Sequence, residues 1–521
     1  MKTIATVQLK KKLETLRKKA HQFGTEEVKS KMQLLKKLSE FSITDPSMLV
    51  RYHNMLLFIL AYPENRIIHR WALRELSRVA QSITRIYTGK NRKKKTQLTN
   101  SGIANSMLNV SFSFEMVKWL QEKFPDHISI SSCDADEETI RSAFITGLLK
   151  PEADRFREES FSLEQLIRNL RPNNEVSDLK WLINFFGNIS VSPEVRDHLY
   201  NSLKIFISLS LYESVPSFAG AGARRHKIFF HQNGLLKKFD SLKTIRDKKI
   251  KPCKLPITEK EALLTNARIT LCMHQREIDP VTFANIEEME LFDMGRGIDV
   301  ALFPMIPERK LSLESYIGYM AFKNGIPAAY GGGWIYLFHS KIGINIFPAL
   351  RGGESSYLFC QILRLYHHHF NVKKFIVEPY QIGKNNSEGI KSGAYWFYYR
   401  LGFRSVNDEL KNLAASEFEK IKTKKQYRAP IAVMKQLAKS DLEFNLAANE
   451  NYPDAKAESV SESITQLVNS HFEGNRSLVT KVDLPKSKQG KTDREAIFEM
   501  QKLARVAKNV EGRLMKIFGE D

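Results

Sequence analysis

The stretch Ile344-Asn-Ile-Phe-Pro-Ala-Leu-Arg-Gly-Gly-Glu-Ser-Ser356 decides how the rest of the chain is read. It begins as an alternating apolar run, meets Pro348, turns through Gly352 and Gly353, and continues as the helical pattern Tyr357-Leu-Phe…Ile362-Leu-Arg-Leu-Tyr366. Strand, small-residue turn and helix is the expected order. A turn feeding a helix N-terminus presents unpaired backbone N–H groups and the positive end of the helix dipole, a setting suited to an anion such as a pyrophosphate. A second strand, Lys374-Phe-Ile-Val-Glu378, follows, and then a helical stretch ending Tyr395-Trp-Phe-Tyr-Tyr-Arg-Leu-Gly-Phe403.

Working outward, strand-like segments cluster around this core at 298–303, 316–322, 328–338, 342–347, 375–377 and 403–406. A helix is expected from Thr258 to about His274. Together they predict an α/β domain with a mixed central sheet over 257–430. The N-terminal part reads differently. Residues 1–95 form a basic helical region, with Leu9, Leu13, Leu16 and Phe23 on one stripe and Val28, Met32, Leu35 and Leu38 on the next. Its helical pattern over 46–87 breaks at Pro63, and 89–96 reads as a basic loop. Residues 97–250 read as a mostly helical domain of unknown role, including helices at 114–123, 137–149, 163–170 and 192–211. A polar flexible segment is expected at 440–491, and a C-terminal amphipathic helix at 492–521, opened by the capping box Thr492-Asp-Arg-Glu495.

Composition narrows the function classes. An apolar fraction of 42% with 10% aromatics describes a folded, multidomain protein of 521 residues. The four cysteines contain no CxxC pair, so neither a disulfide framework nor a zinc site is expected. The N-terminus lacks a signal-peptide core and no apolar run is long enough to span a bilayer, which together predict a cytoplasmic protein without a transmembrane segment. Of the net charge of +22, +15 falls within the first hundred residues. Nucleic acid could meet such a surface, but without a nucleic-acid-binding signature solvated lysine-rich helix faces are the favoured explanation.

The 257–430 region resembles the GNAT superfamily of N-acyltransferases. Ile344, Ile346, Pro348, Arg351 and Gly352 match in register the family's pattern at its fourth strand and the turn after it. Asn386 and Tyr398-Tyr-Arg-Leu-Gly402-Phe403 match the second element, in the right order. The resemblance covers about a third of the chain. It implies that acetyl-CoA or another acyl-CoA lies between the fourth and fifth strands and gives its acyl group to an amine acceptor, with no metal. Ile344, Asn345 and Ile346 would bind the pantetheine; Arg351, Gly352, Gly353, Glu354, Ser355 and Ser356 would cradle the phosphates, with Asn386 nearby. Tyr398 would protonate the leaving thiolate, and Glu378 is the candidate base.

Glu354 departs from the pattern, standing where the family has glycine, and a carboxylate beside a pyrophosphate is repulsive. It either points away as a helix-start residue, pairs with Arg351, or marks a donor other than coenzyme A. The alternatives to a coenzyme-dependent enzyme are a GNAT-fold transferase using aminoacyl-tRNA and a non-catalytic interaction protein that keeps the fold. His367-His368-His369 is expected to be an exposed helix end, since consecutive helical residues cannot face one ion. Gly331-Gly-Gly333 either admits a ligand or forms a bulge. Arg276, Glu277 and Asp279 lie where family members bind acceptors.

Overall fold

The computed structural model describes residues 2–158, 160–171, 176–211, 227–310 and 314–446, with a few positions between 457 and 474. The expected C-terminal helix at 492–521 and most of the 440–491 segment lie outside the described residues.

The chain begins with four helices, Lys2–Ala20, Thr25–Ser39, Pro46–Ala61 and Arg66–Thr88. Asp45 starts the third by accepting the Met48 N–H, with Pro46 in the first turn where a missing N–H costs nothing. That helix is apolar on nearly every side and is buried accordingly, from Leu49 to Ala61. The fourth is capped by Asn65, which accepts the N–H groups of Ile67 and Ile68. The expected basic loop at 89–96 is instead largely helix, Arg92–Leu98. Asn91 accepts the Lys94 N–H at its start, and buried Leu98 pins its end. A lysine ammonium and a carboxylate meet in the buried pair Lys31–Glu64.

The next module contains more than helices. Strands β1 (Met107–Val110), β2 (Ile128–Cys133) and β3 (Ile205–Ser210) form an antiparallel sheet in the order β1-β3-β2. Helices at Phe114–Lys123 and Leu163–Leu170 stand where expected. The stretch 192–211 does not form one helix. Helix Pro193–Ser202 stops, Lys204 takes a left-handed φ of 47°, and β3 begins. Leu199, Leu203, Ile207 and Leu211 recur every fourth residue and so imitate a helical stripe, while Ile205, Ile207 and Leu209 point inward with the strand period.

The third module is α/β. Its strands are β4 (Glu290–Asp293), β5 (Ile298–Phe303), β6 (Ser315–Lys323), β7 (Ile326–Tyr336), β8 (His339–Ile342), β9 (Asn345–Ile346), β10 (Lys374–Val377), β11 (Arg404–Ser405) and β12 (Leu442–Asn445). They make a nine-stranded mixed sheet in the order β11-β12-β10-β8-β7-β6-β5-β4, with β9 on β7. β5 is buried at every position, as a central strand covered on both faces must be. β6 and β7 are joined by Asn324-Gly325, both with positive φ, the turn that matches strand twist. Among the described strands only β8 and β10 pair in parallel, and the helix Ser355–Phe370 supplies the connection between them.

The expected end of this domain at 430 falls too early. β12 lies between β10 and β11, with Leu442 and Phe444 buried, so the first residues of the expected polar segment are part of the sheet. Four residues of alternating burial are too short a signal against the polar sequence around them. The three modules also share contacts. Asn324 Nδ2 donates to the carbonyls of Ala61 at 2.8 Å and Phe229 at 3.0 Å. Arg309 pairs with Asp197 at 2.8 Å.

Candidate functional site

A cleft of about 470 Å³ opens where β8 and β10 part. Their parallel register ends at Ile376 opposite Lys341. Beyond it the chain swings away: Asn345 and Ile346 pair with Tyr330 and Ala329 of β7, while Val377 pairs with Leu442 of β12. At the parting, the Gly343 carbonyl accepts the Tyr319 hydroxyl at 2.5 Å. A side chain at Gly343 would come within 2.7 Å of Gln381, so glycine keeps this corner open. The mixed sheet is therefore splayed, and the gap is lined by Ile344, Asn345 and Ile346 on one flank and Gln381, Asn386 and Tyr398 on the other.

Tyr398 is 2% exposed and reaches the gap from the helix Ala394–Leu401. Its hydroxyl accepts the Ile344 N–H at 3.4 Å. Burial pushes its pKa well above the ordinary tyrosine value, against the pull of that N–H, so the phenol holds its proton at neutral pH. Asn386 caps the helix Ser387–Ser392: its Oδ1 accepts the Gly389 N–H at 3.0 Å and its Nδ2 donates to the Tyr380 carbonyl at 3.0 Å. Its role is to shape the wall.

Arg351, Gly352 and Ser355 line the cleft; Gly353, Glu354 and Ser356 do not. Arg351 is exposed and pairs with Glu388 across the mouth at 2.9 Å. Gly352 takes a left-handed φ of 83°. Gly353 lies so near the Tyr62 hydroxyl that an added Cβ would sit 2.3 Å from it, leaving room there only for glycine. The Gly352 and Gly353 carbonyls accept from Lys237 Nζ at 2.7 and 2.5 Å.

Glu354 turns its side chain away from the cleft and is 1% exposed. Its partner is not Arg351. Oε1 accepts from the Leu236 N–H at 2.8 Å and from Arg296, Oε2 accepts from Lys323 at 2.9 Å, and His231 lies 3.7 Å away. Its backbone N–H donates to the Tyr62 hydroxyl at 3.1 Å. Burial alone would raise the carboxyl, but Lys323, the Leu236 N–H and Arg296 hold it below the usual range. Burial also lowers Lys323, to about 8, although Glu354 pulls it up. The residue begins the helix Ser355–Phe370 without capping it, and it ties three segments of the chain together.

Glu378 is exposed at the end of β10 and does not line the cleft. Partial burial raises its carboxyl, with Lys341 opposing. His274, unforeseen from the sequence, does line the cleft and stacks on Phe347 with ring centroids 4.2 Å apart. Burial, then Arg276 and His53, lower its pKa to about 3, so it stands in the wall as neutral imidazole and is a weak base. Arg276 lines the cleft. Glu277 instead accepts from the Ser113 and Thr282 hydroxyls, at 2.5 and 2.8 Å. Among the other aromatics of the helix Ala394–Leu401, Phe397 faces the cleft, while Tyr395, Trp396 and Tyr399 are buried.

The two remaining features prove structural. His367, His368 and His369 separate to the Val372 carbonyl, the Asp247 carbonyl and the Glu290 carboxylate, and no cluster of metal ligands occurs among the described residues. Gly331, Gly332 and Gly333 pair regularly with β6. An added Cβ would fall 2.6 Å from the Tyr319 hydroxyl, 2.4 Å from the Tyr316 ring or 2.4 Å from the Tyr366 ring, respectively. They make room for tyrosines; the register shift lies elsewhere, at Ala321/Phe322.

No described helix is long and apolar enough to cross a membrane. Comparison with protein-family models, curated proteins and solved structures returned no match.

Proposed function

We propose that the 257–446 unit is a GNAT-like N-acyltransferase that takes an acyl thioester, with acyl-CoA as the donor, and transfers it to an amine. The observation that carries the reading is the splay between β8 and β10 with the Tyr398 hydroxyl at its apex. A donor's amide-bearing arm laid along 344–346 would find there the backbone edge that β10 no longer covers. The thioester carbon would then sit beside Tyr398. Attack by the amine forms the C–N bond and breaks the C–S bond, and the phenol proton meets the thiolate as it leaves. The burial that raises the phenol raises a thiolate in the same place, so the match between the two is kept. Glu378 does not line this gap, and His274 is too weak a base. The amine would arrive uncharged or lose its proton to water.

The experiment is direct. Calorimetry with acetyl-CoA and longer acyl-CoAs should give saturable binding, and mass spectrometry of native protein should find the coenzyme; absence of both removes the reading. A charged RNA as donor is the second reading. It is favoured by Tyr62, whose hydroxyl already occupies the N–H of Glu354 at the position where the family's phosphate turn has glycine.

A further inference from the structure

Next to the cleft lies a second concavity, of about 620 Å³, bounded by the helices Lys2–Ala20 and Pro46–Ala61 and by the turn at 348–351. Pro348 and Arg351 belong to the walls of both, so the two spaces meet at that turn. Four cations edge the second one: Lys10, Arg17, Arg51 and Arg351. Its carboxylates are Glu14 and Asp45. Asp45 is engaged as a helix cap, accepting from the Met48 N–H at 2.9 Å and the Ser47 hydroxyl at 2.8 Å. Among the described residues, Lys10, Arg17 and Arg51 have no carboxylate within ion-pair distance, while Arg351 has exposed Glu388. The floor is apolar, from Leu13, Met55 and Phe58.

Like charges collected around a concavity repel one another, whereas lysines serving only solubility spread over convex surface. His21 also lines the groove, its ring 4.1 Å from Phe58. Partial burial and then the cations Lys237, Lys31 and Arg17 lower its pKa, against a bond to the Gly352 backbone. A groove with an apolar floor and a rim of guanidinium groups has the chemistry of a nucleotide site: the floor takes a flat base and the rim takes phosphate oxygens.

We propose that this groove seats the phosphate-bearing tail of the acyl donor, a nucleotide-type phosphate ester whose acyl end reaches Tyr398 past Arg351. The inference rests on the acyl-transfer reading for the identity of the tail's other end. It assigns to the basic N-terminal helices, through Lys10, Arg17 and Arg51, a share of donor binding beside Arg351 of the α/β unit.

The test is the double charge reversal Arg17→Glu/Arg51→Glu in the full chain. Both side chains are exposed, and circular dichroism checks that the fold is kept. Binding is measured by calorimetry, independently of turnover, with coenzyme A, with phosphate-free pantetheine and with a short RNA hairpin. The expected result is a loss of at least about tenfold in affinity for coenzyme A with pantetheine unchanged. A hairpin that binds the native chain where coenzyme A does not, and that loses affinity on reversal, assigns the phosphates to RNA and keeps the groove. Reversal that leaves every affinity within about twofold, or a native chain that binds no phosphate ester, overturns the proposal. Groove-dependent binding without any acyl transfer would remove the enzymatic reading and leave the groove standing.

Discussion

Replacing Glu354 with glutamine tests whether the buried carboxylate holds the modules together. The substitution keeps the shape and an acceptor for the Leu236 N–H, and removes the charge that faces Lys323 and Arg296. Lys323 is 0% exposed, and its one other acceptor is the Arg296 carbonyl at 2.5 Å. Breaking a buried pair by removing one partner costs about 3–5 kcal/mol. Lys323 sets a ceiling below that range. It can escape by losing its proton, which at pH 7 costs about 1.4 kcal/mol from its folded value of about 8, since one unit is worth ~1.36 kcal/mol. Arg296 is 28% exposed and can turn to water, so it adds little. Urea denaturation of the single variants Glu354→Gln and Lys323→Met and of the double variant would complete a cycle. The single change at 354 should cost about 1–3 kcal/mol, the proton loss plus the weakened bonds to the lost carboxylate, and the double variant should recover at least about 1 kcal/mol of the summed losses. A loss below about 1 kcal/mol at 354, or additive losses, would refute the argument. The same logic bears on Glu354→Gly: more room in the turn would come with a stranded buried lysine.

Tyr398→Phe should lower acyl turnover about a hundredfold, with donor affinity little changed because the bond it loses is a long 3.4 Å one; steady-state kinetics with equal turnover would remove the residue from its role. Stability should fall on acidification from pH 6.5, because His53, His231 and His274 have folded values of about 4, 4 and 3, all set chiefly by burial. The unfolded chain takes up these protons first, so each histidine withdraws up to ~1.36 kcal/mol per pH unit until its own folded value is reached. A urea midpoint that stays flat between pH 7.5 and 5 would contradict this. Gly333→Ala should destabilise by about 1–3 kcal/mol through overpacking, since the new methyl would meet the Tyr366 ring at 2.4 Å and the Ser340 hydroxyl at 2.7 Å; thermal melting would show it.

What could be read from the sequence was what neighbours in sequence decide. Pro348, Gly352, Asn386 and Tyr398 are legible because each acts through the turn or helix it belongs to, and five of the sheet's nine strands overlap the expected segments closely. The expected strand at 342–347 takes in β9 but only Ile342 of β8, since the break between them leaves the apolar alternation intact. Glu354 could be singled out but not placed. Its partners Tyr62, Leu236, Arg296 and Lys323 come from distant parts of the chain, and none carries a local mark of the role. His274 was hidden for the same reason. β3 was lost to a four-residue repeat that satisfies two periodicities at once, and β12 to its brevity.

The position of β12 has a consequence for how the chain is made. β10 and β11 do not pair; each is hydrogen-bonded to β12, which is synthesised after every other described strand. Until Leu442–Asn445 leaves the ribosome, the edge of β10 away from the cleft is open and Phe403 lacks its neighbour Phe444, 5.3 Å away between ring centroids. A nascent chain halted before that point would carry an unprotected strand edge, an invitation to pair with another chain. The sheet that carries the cleft is therefore completed late in synthesis, and a fragment cut at 430 would be expected to aggregate in proportion to its concentration.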